Sequence, residues 1–304
     1  MSAETSVVRL KNSNVERKYG DSLWQRALKR LWRDKLTLLA LFVMALLTFL
    51  AMAAPLITSA LGVDAETTNP VDRLIPPFTT APHILGTDDL GRDYFARLLY
   101  GGQISLTIGF FGAILTLGIG LSLGMVAGYF GGRVDDFMNW VITTLDSIPI
   151  LYLLILISTL LRPTAEALIL VLALTGWTGG TRLMRGQTLA IRNLEYIMSA
   201  RAVGASSMRI IFVHILPNLL SVTMISLAGG IGGLILAEST LSFLKLGVQP
   251  PTPTWGNMLS NAQQFFTRGP HLSIISGVLI FITVLCLYVI GDGLRDAFDP
   301  RTVD

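Results

Sequence analysis

Six apolar runs, most of them near the length of a membrane crossing, limit this chain to a narrow set of folds. A helix needs about 20 mostly apolar residues to cross the hydrocarbon of a bilayer. Residues 36–54 and 104–130 carry no charge, and the second run is long enough to tilt. Residues 137–161 are apolar apart from Asp146. Residues 167–180 form the shortest run, bounded by Glu166 and Arg182, and snorkelling of Arg182 lets that helix extend. Residues 219–237 and 272–291 complete the set. In lipid a spanning segment must satisfy its own backbone, so runs like these fold as helices. Only 14% of the residues are charged, where soluble domains average about 25%. The expected fold class is an all-α integral membrane protein with six transmembrane helices.

Six crossings put both termini on one side. With the N-terminus in the cytoplasm, inside segments hold 17 Lys and Arg and outside segments hold 6. The positive-inside rule therefore favours an N-in/C-in topology. It also accounts for the net charge of +3 without nucleic acid, since the basic residues form no stripe among aromatics. The first 35 residues are polar and basic with no small-residue cleavage site behind them, so the first run reads as an uncleaved span.

The expected organisation follows. Residues 1–35 form a cytoplasmic tail, with Leu23, Trp24, Ala27, Leu28 and Leu31 on one face of an interfacial helix. Residues 36–103 hold the first span and a long extracytoplasmic segment. Its second half reads as an amphipathic helix capped by Thr87 or Asp88, with an Asp93–Arg97 pair and a stripe of Leu90, Tyr94 and Leu98. Residues 104–292 form the core transmembrane domain, and 293–304 a cytoplasmic tail. Gly120, Gly124 and Gly128 repeat every four residues, as do Gly229 and Gly233. Such ridges serve close helix packing, within the chain or against a second membrane subunit.

Several chemistries are missing. There is no GxxxxGK[ST] loop for ATP, no HExxH, no Gly-x-Ser-x-Gly elbow and no calcium loop. One cysteine, Cys286, excludes an internal disulfide, and His83, His214 and His271 fall in different segments. The ionisable residues deep in spans are Asp146 and Glu238, fewer than an intramembrane proton relay usually uses. A membrane enzyme is disfavoured, and an externally powered transport subunit is favoured over a stand-alone transporter, channel or scaffold. Asp146 and Glu238 are the candidate pathway residues. The alternative for Asp146 is a structural pair beside a kink at Pro149. For Glu238 it is a pair with Lys245 or with a partner subunit. Trp255 and Tyr129 read as interfacial anchors.

One cytoplasmic segment, residues 196–217 between the fourth and fifth spans, is polar, Arg-bearing and rich in small residues. Ala200, Gly204 and Ala205 offer a flat face, Gly204 can end one helical turn, and Pro217 suits the first turn of the next span. The segment resembles the Glu-Ala-Ala loop of ABC importer permeases. Met198, Ser199 and Ala200 stand at Glu-Ala-Ala, Gly204 at its Gly and Leu216-Pro217 at its Leu-Pro, with His214 replacing Ile. Residues 83–93, 201–206, 249–256 and 291–300 are similar to the C-type permease of the dipeptide/oligopeptide (peptide/nickel) importers, as is 241–247 with Lys245 in place of Gly. The resemblance implies a type I importer permease fold with a cytoplasmic coupling helix between spans four and five. The ATPase-coupling loop, about 184–217, would use Ser199, Ala200, Arg201, Gly204, Ala205, Ser206, Arg209, Leu216 and Pro217. Implied partners are a B-type permease, two ATPase subunits that bind ATP and Mg, and an extracytoplasmic solute-binding protein. The implied place is a bacterial or archaeal cytoplasmic (inner) membrane. No cofactor is expected in this chain itself.

Overall fold

The computed structural model describes residues 23–160 and 164–298. The basic tail before Leu23, Leu161, Arg162 and the stretch from residue 299, with Arg301, lie outside the described residues. Regular structure among the described residues is helical, with one isolated bridge between Thr87 and Asp93.

In chain order the helices are α1 (Leu23–Leu31), α2 (Lys35–Met52), α3 (Ala54–Leu61), α4 (Tyr94–Phe130), α5 (Gly132–Asp146), α6 (Ile150–Leu160), α7 (Ala165–Ile191), α8 (Glu195–Ala202), α9 (Ser207–Phe243), α10 (Trp255–Ala262) and α11 (Pro270–Phe298). Five of these, α2, α4, α7, α9 and α11, are long and apolar enough to cross a membrane. The expected crossing at 137–161 is instead the pair α5 and α6, bent by 73°. Pro149 causes the break, because it has no N–H to donate and disfavours helical backbone at the residue before it.

The expected amphipathic helix capped by Thr87 or Asp88 does not form. The helix starts at Tyr94, where Asp93 accepts from the Ala96 N–H at 2.7 Å, and continues without interruption into the span. Thr87 and Asp88 are used elsewhere. The Thr87 hydroxyl takes the Ile75 N–H at 3.0 Å, and Asp88 pairs with Arg92 at 2.7 Å and Arg97 at 3.4 Å. Asp93 meets His83 at 2.8 Å rather than the Arg97 side chain. Leu90 is exposed, whereas Tyr94 and Leu98 are buried. The turn before α4 depends on Gly91 (φ +77°), where a Cβ would lie 1.8 Å from the Asn69 carbonyl oxygen.

α4 and α7 form the centre. Gly120, Gly124 and Gly128 let the helices approach until a Cβ on α4 would stand 2.6–3.0 Å from Gly180, Thr181, Met184, Arg185 or Thr188. This ridge is spent inside the chain. A Cβ at Gly229 or Gly233 would meet nothing within 4 Å. α9 packs on α4 where Gly109 meets Ile231 and Ile235, and α11 packs on α9 through Val284 and Leu287 against Gly232. α2 joins the set where Thr37 fills the space beside Gly293.

Trp255 and Tyr129 are not interfacial anchors. Trp255 is 2% exposed and donates from Nε1 to the Leu98 carbonyl at 3.0 Å. The flat backbone at Gly101 and Gly102 gives its indole room. Tyr129 is buried with Met125, Ile197 and Ile210. Both rings found partners inside the protein that sequence position alone does not reveal.

The two glycine ridges should respond differently to added volume. Gly124→Leu should destabilise the purified chain by about 3 kcal/mol or prevent folding, because helix backbones must separate. Gly233→Ala should change stability by less than about 1 kcal/mol. Thermal unfolding in detergent checks both, and equal losses would contradict the packing.

Candidate functional site

Residues 195–218 form a corner in which α8 lies between α7 and α9. α8 ends through a Schellman arrangement. The Ala205 N–H reaches the Ala200 carbonyl at 3.0 Å and the Gly204 N–H reaches that of Arg201 at 3.0 Å. Gly204 adopts φ +86°, which residues with a Cβ rarely take. Ser206 then caps α9, its hydroxyl accepting from the Arg209 N–H at 3.4 Å.

α8 is held down by a single fully buried side chain, Ile197, which packs with Met125, Tyr129, Ile210, Ile211, Ile215 and Leu219. Above this cluster the Arg201 guanidinium lies 5.5 Å from the centre of the Tyr129 ring, in cation–π range. On the outer side, Met198, Val203, Met208, Phe212 and Val213 are all exposed, Val203 by 86%. Ser199, Gly204, Ser206 and Arg209 are exposed among them, while Ala200 and Ala205 are half-buried. The corner thus presents an apolar face edged by two arginines.

The sequence places Pro217 in the first turn of the fifth span. The structure starts that helix earlier, at Ser207, so Leu216 and Pro217 lie within it. Residues Ile210–Ile215 are wound as a π-helix, and the Leu216 N–H bonds back to the Ile211 carbonyl. The wider turn absorbs a proline that would otherwise clash with the preceding turn. Asn218 completes the site: its amide donates to the His214 carbonyl at 2.6 Å and to the Tyr196 hydroxyl at 3.3 Å, tying α9 to α8. Sequence reasoning did not single out Ile197 or Asn218. Neither carries charge or motif identity, and their roles appear only once α8 and α9 are in contact.

The other two candidates part company. Asp146 ends α5 and pairs with Arg182 of α7 at 2.6 Å, both side chains partly exposed. Glu238 is wholly buried and has no surface for a solute in this conformation. It accepts from Ser242 and Thr254 at 2.7 Å and from Ser105 at 3.4 Å, while the Ser105 oxygen accepts from the Trp255 N–H at 3.1 Å. It therefore clamps α4, α9 and α10 together. The expected pair with Lys245 is absent, since Lys245 donates to Asn261 at 3.1 Å. Lys245 itself holds φ +63°, a left-handed backbone that residues with a Cβ rarely adopt. Among carboxylates outside the spans, burial and the neighbouring Asp88 charge raise Asp89, while hydrogen bonds from Thr37 lower Asp34.

The family model described as "Binding-protein-dependent transport system inner membrane component" matches residues 120–304, more than half of the chain. The chain belongs to that family. A second model, the N-terminal TM domain of oligopeptide transport permease C, matches residues 22–77 of this inner membrane component. It is 39% identical to the dipeptide transport system permease protein DppC of Alkalihalophilus pseudofirmus, over 92% of this chain and 90% of that one. It is 36% identical to the oligopeptide permease OppC of Bacillus subtilis, with the same coverage. It is 37% identical to the glutathione permease GsiD of Pectobacterium atrosepticum, over 91% of each. Its fold is similar to the MetNI methionine ABC transporter in an inward-facing conformation, with a TM-score of 0.56 and 19% identity. That likeness covers 66% of this chain and 96% of that one.

Ile197→Ala should cost about 2–5 kcal/mol locally, the range for truncating a fully buried aliphatic side chain. Amide hydrogen exchange should then show α8 exchanging faster while α4 and α7 remain protected. Unchanged exchange across residues 195–202 would contradict the anchoring role.

Proposed function

We propose that this chain is the C-type permease subunit of an ATP-driven importer, forming half of the pathway for peptides or a related small solute by alternating access. Membership of the binding-protein-dependent family and its dipeptide and oligopeptide relatives support this reading. On this reading the chain crosses the inner membrane six times, with α5 and α6 counted as one, in an N-in/C-in orientation that has α8 on the cytoplasmic side. There α8 serves as the coupling helix. ATP and Mg belong to two partner ATPase subunits, because the sequence has no phosphate-binding loop. A B-type permease supplies the other half of the pathway, and an extracytoplasmic binding protein delivers the solute.

The observation that carries the reading is the exposed corner at Gly204, rigidly joined to α9. An ATPase groove that grips Met198, Val203 and Met208 would transmit its closing motion through the Ile197 cluster and the π-helical turn into a spanning helix. With Met198 at the Glu position of the pattern, shape and the two arginines bear the contact.

Two substitutions separate backbone strain from docking. Gly204→Ala adds only the left-handed strain, about 1 kcal/mol, and should leave most of the uptake intact. Gly204→Arg adds bulk where nothing lies within 4 Å in this chain, so the fold tolerates it while the docking face does not. Vesicles holding the assembled importer should lose solute uptake with Gly204→Arg while ATP hydrolysis persists uncoupled. Normal uptake by that variant would reject the coupling assignment.

A further inference from the structure

Two unusual features of the spans coincide at one place. The first is the Asp146–Arg182 ion pair, whose side chains are 34% and 52% exposed. Arg182 lies about two thirds of the way along α7, a helix about 40 Å long, so a hydrocarbon layer about 30 Å thick centred on that helix would include it. The second is the break between α5 and α6, where Ser147, Ile148 and Pro149 are exposed next to Asp146. At that depth the ion pair is costly against lipid, and the break beside it shares its side of the helix pair. Charged side chains at this depth turn to a protein interior or a water-filled cavity, and non-helical backbone is tolerated only in those same places.

The ion pair decides between the two. The Asp146 contact engages Arg182 through one nitrogen, Nη1, and the guanidinium has five N–H groups to satisfy. Sealing such a pair in a dry interface would cost more than the single contact returns. Water can satisfy the rest. α5 also stays tethered when the pair opens, because Arg185 of α7 grips Asp135 through Nε and through Nη2, the latter at 2.6 Å.

We propose that Asp146 and Arg182, with the exposed break at 147–149, form a solvated station in the translocation pathway that binds a zwitterionic solute. The Asp146 carboxylate takes the solute's ammonium group and Arg182 takes its carboxylate, so the internal pair is exchanged for two contacts with the cargo. A partly hydrated ion pair is weak, which lets the exchange run both ways. This inference rests on the importer reading and names the chemistry that the permease itself would recognise.

The test uses the whole importer in vesicles, supplied with its binding protein saturated with a free-termini tripeptide. Asp146→Asn and Arg182→Gln should each assemble with the ATPases yet lower uptake about tenfold or more, the factor for one lost charge-assisted contact. The charge-swapped double variant D146R/R182D keeps an internal pair and should not restore uptake. Ile148→Cys in a Cys286→Ala background should react with a charged, membrane-impermeant thiol reagent, read on this chain by mass spectrometry. Ile142→Cys, fully buried one helical turn before Asp146, should not. Restoration by the swap would make the pair structural, and an inert Ile148→Cys would mean that the partner permease covers the break. Normal uptake by both single variants would also overturn the station while leaving the importer intact. Absence of ATP-driven uptake by the unaltered assembly would overturn the importer reading and the station with it.

Discussion

With no side chains at Gly120, Gly124 and Gly128, α4 and α7 approach until backbone nearly touches backbone. Lipid removes the hydrophobic drive between helices, so dispersion over such a close seam has to hold them. Other placements follow from that seam. It brings Arg192 to the end of α4, where Nη1 donates to the Gly128 carbonyl at 2.8 Å and caps a helix that would otherwise leave its last carbonyls bare. It sets Arg182 and Arg185 opposite α5, and it puts the start of α8 within reach of Tyr129. A bulkier α4 would displace the α8 corner and the ion pairs together.

The corner shows how a short element can be fixed to a long one by few contacts. α8 is eight residues long, too short for stable helix in isolation, so its geometry is borrowed from Ile197 and from the Schellman bonds around Gly204. Beyond it, the π-helical turn and the Asn218 bonds couple α8 to the first turns of α9. A π segment is a strained winding that a helix adopts where another demand overrides its own hydrogen-bond register. Here that demand is Pro217. The strain sits between the exposed face of α8 and the rest of a 37-residue helix that also carries the Glu238 clamp at its far end.

Much of the architecture was legible because lipid leaves few alternatives. The apolar runs mark the crossings, Pro149 marks the bend, and the four-residue glycine spacing marks a seam. What the sequence could not disclose depends on partners distant along the chain. Thr87 and Asp88 look like helix caps until Asp72, Ile75 and Arg97 claim them, which moves the start of α4 to Tyr94. Trp255 looks like an interfacial anchor until the glycines at 101 and 102 give its ring a seat. Glu238 invites a pathway role by its type and depth, yet three hydroxyl donors from α4, α9 and the residue before α10 enclose it. Lys245 invites a pair with Glu238 by its charge, yet it sits in a left-handed turn and donates to Asn261 instead.

The two carboxylates in the spans illustrate one rule with opposite outcomes. A carboxylate removed from water must have its acceptor sites filled, and Glu238 meets that demand with short hydroxyl contacts and no exposed surface. The chain is therefore able to satisfy an acid completely where structure requires it. Asp146 receives one cation and stays open, beside a helix break that is also open. An open ion pair and an exposed helix break are each costly in hydrocarbon, whereas the enclosed Glu238 is not. The contrast separates a carboxylate that the fold encloses on every side from one that it leaves partly open.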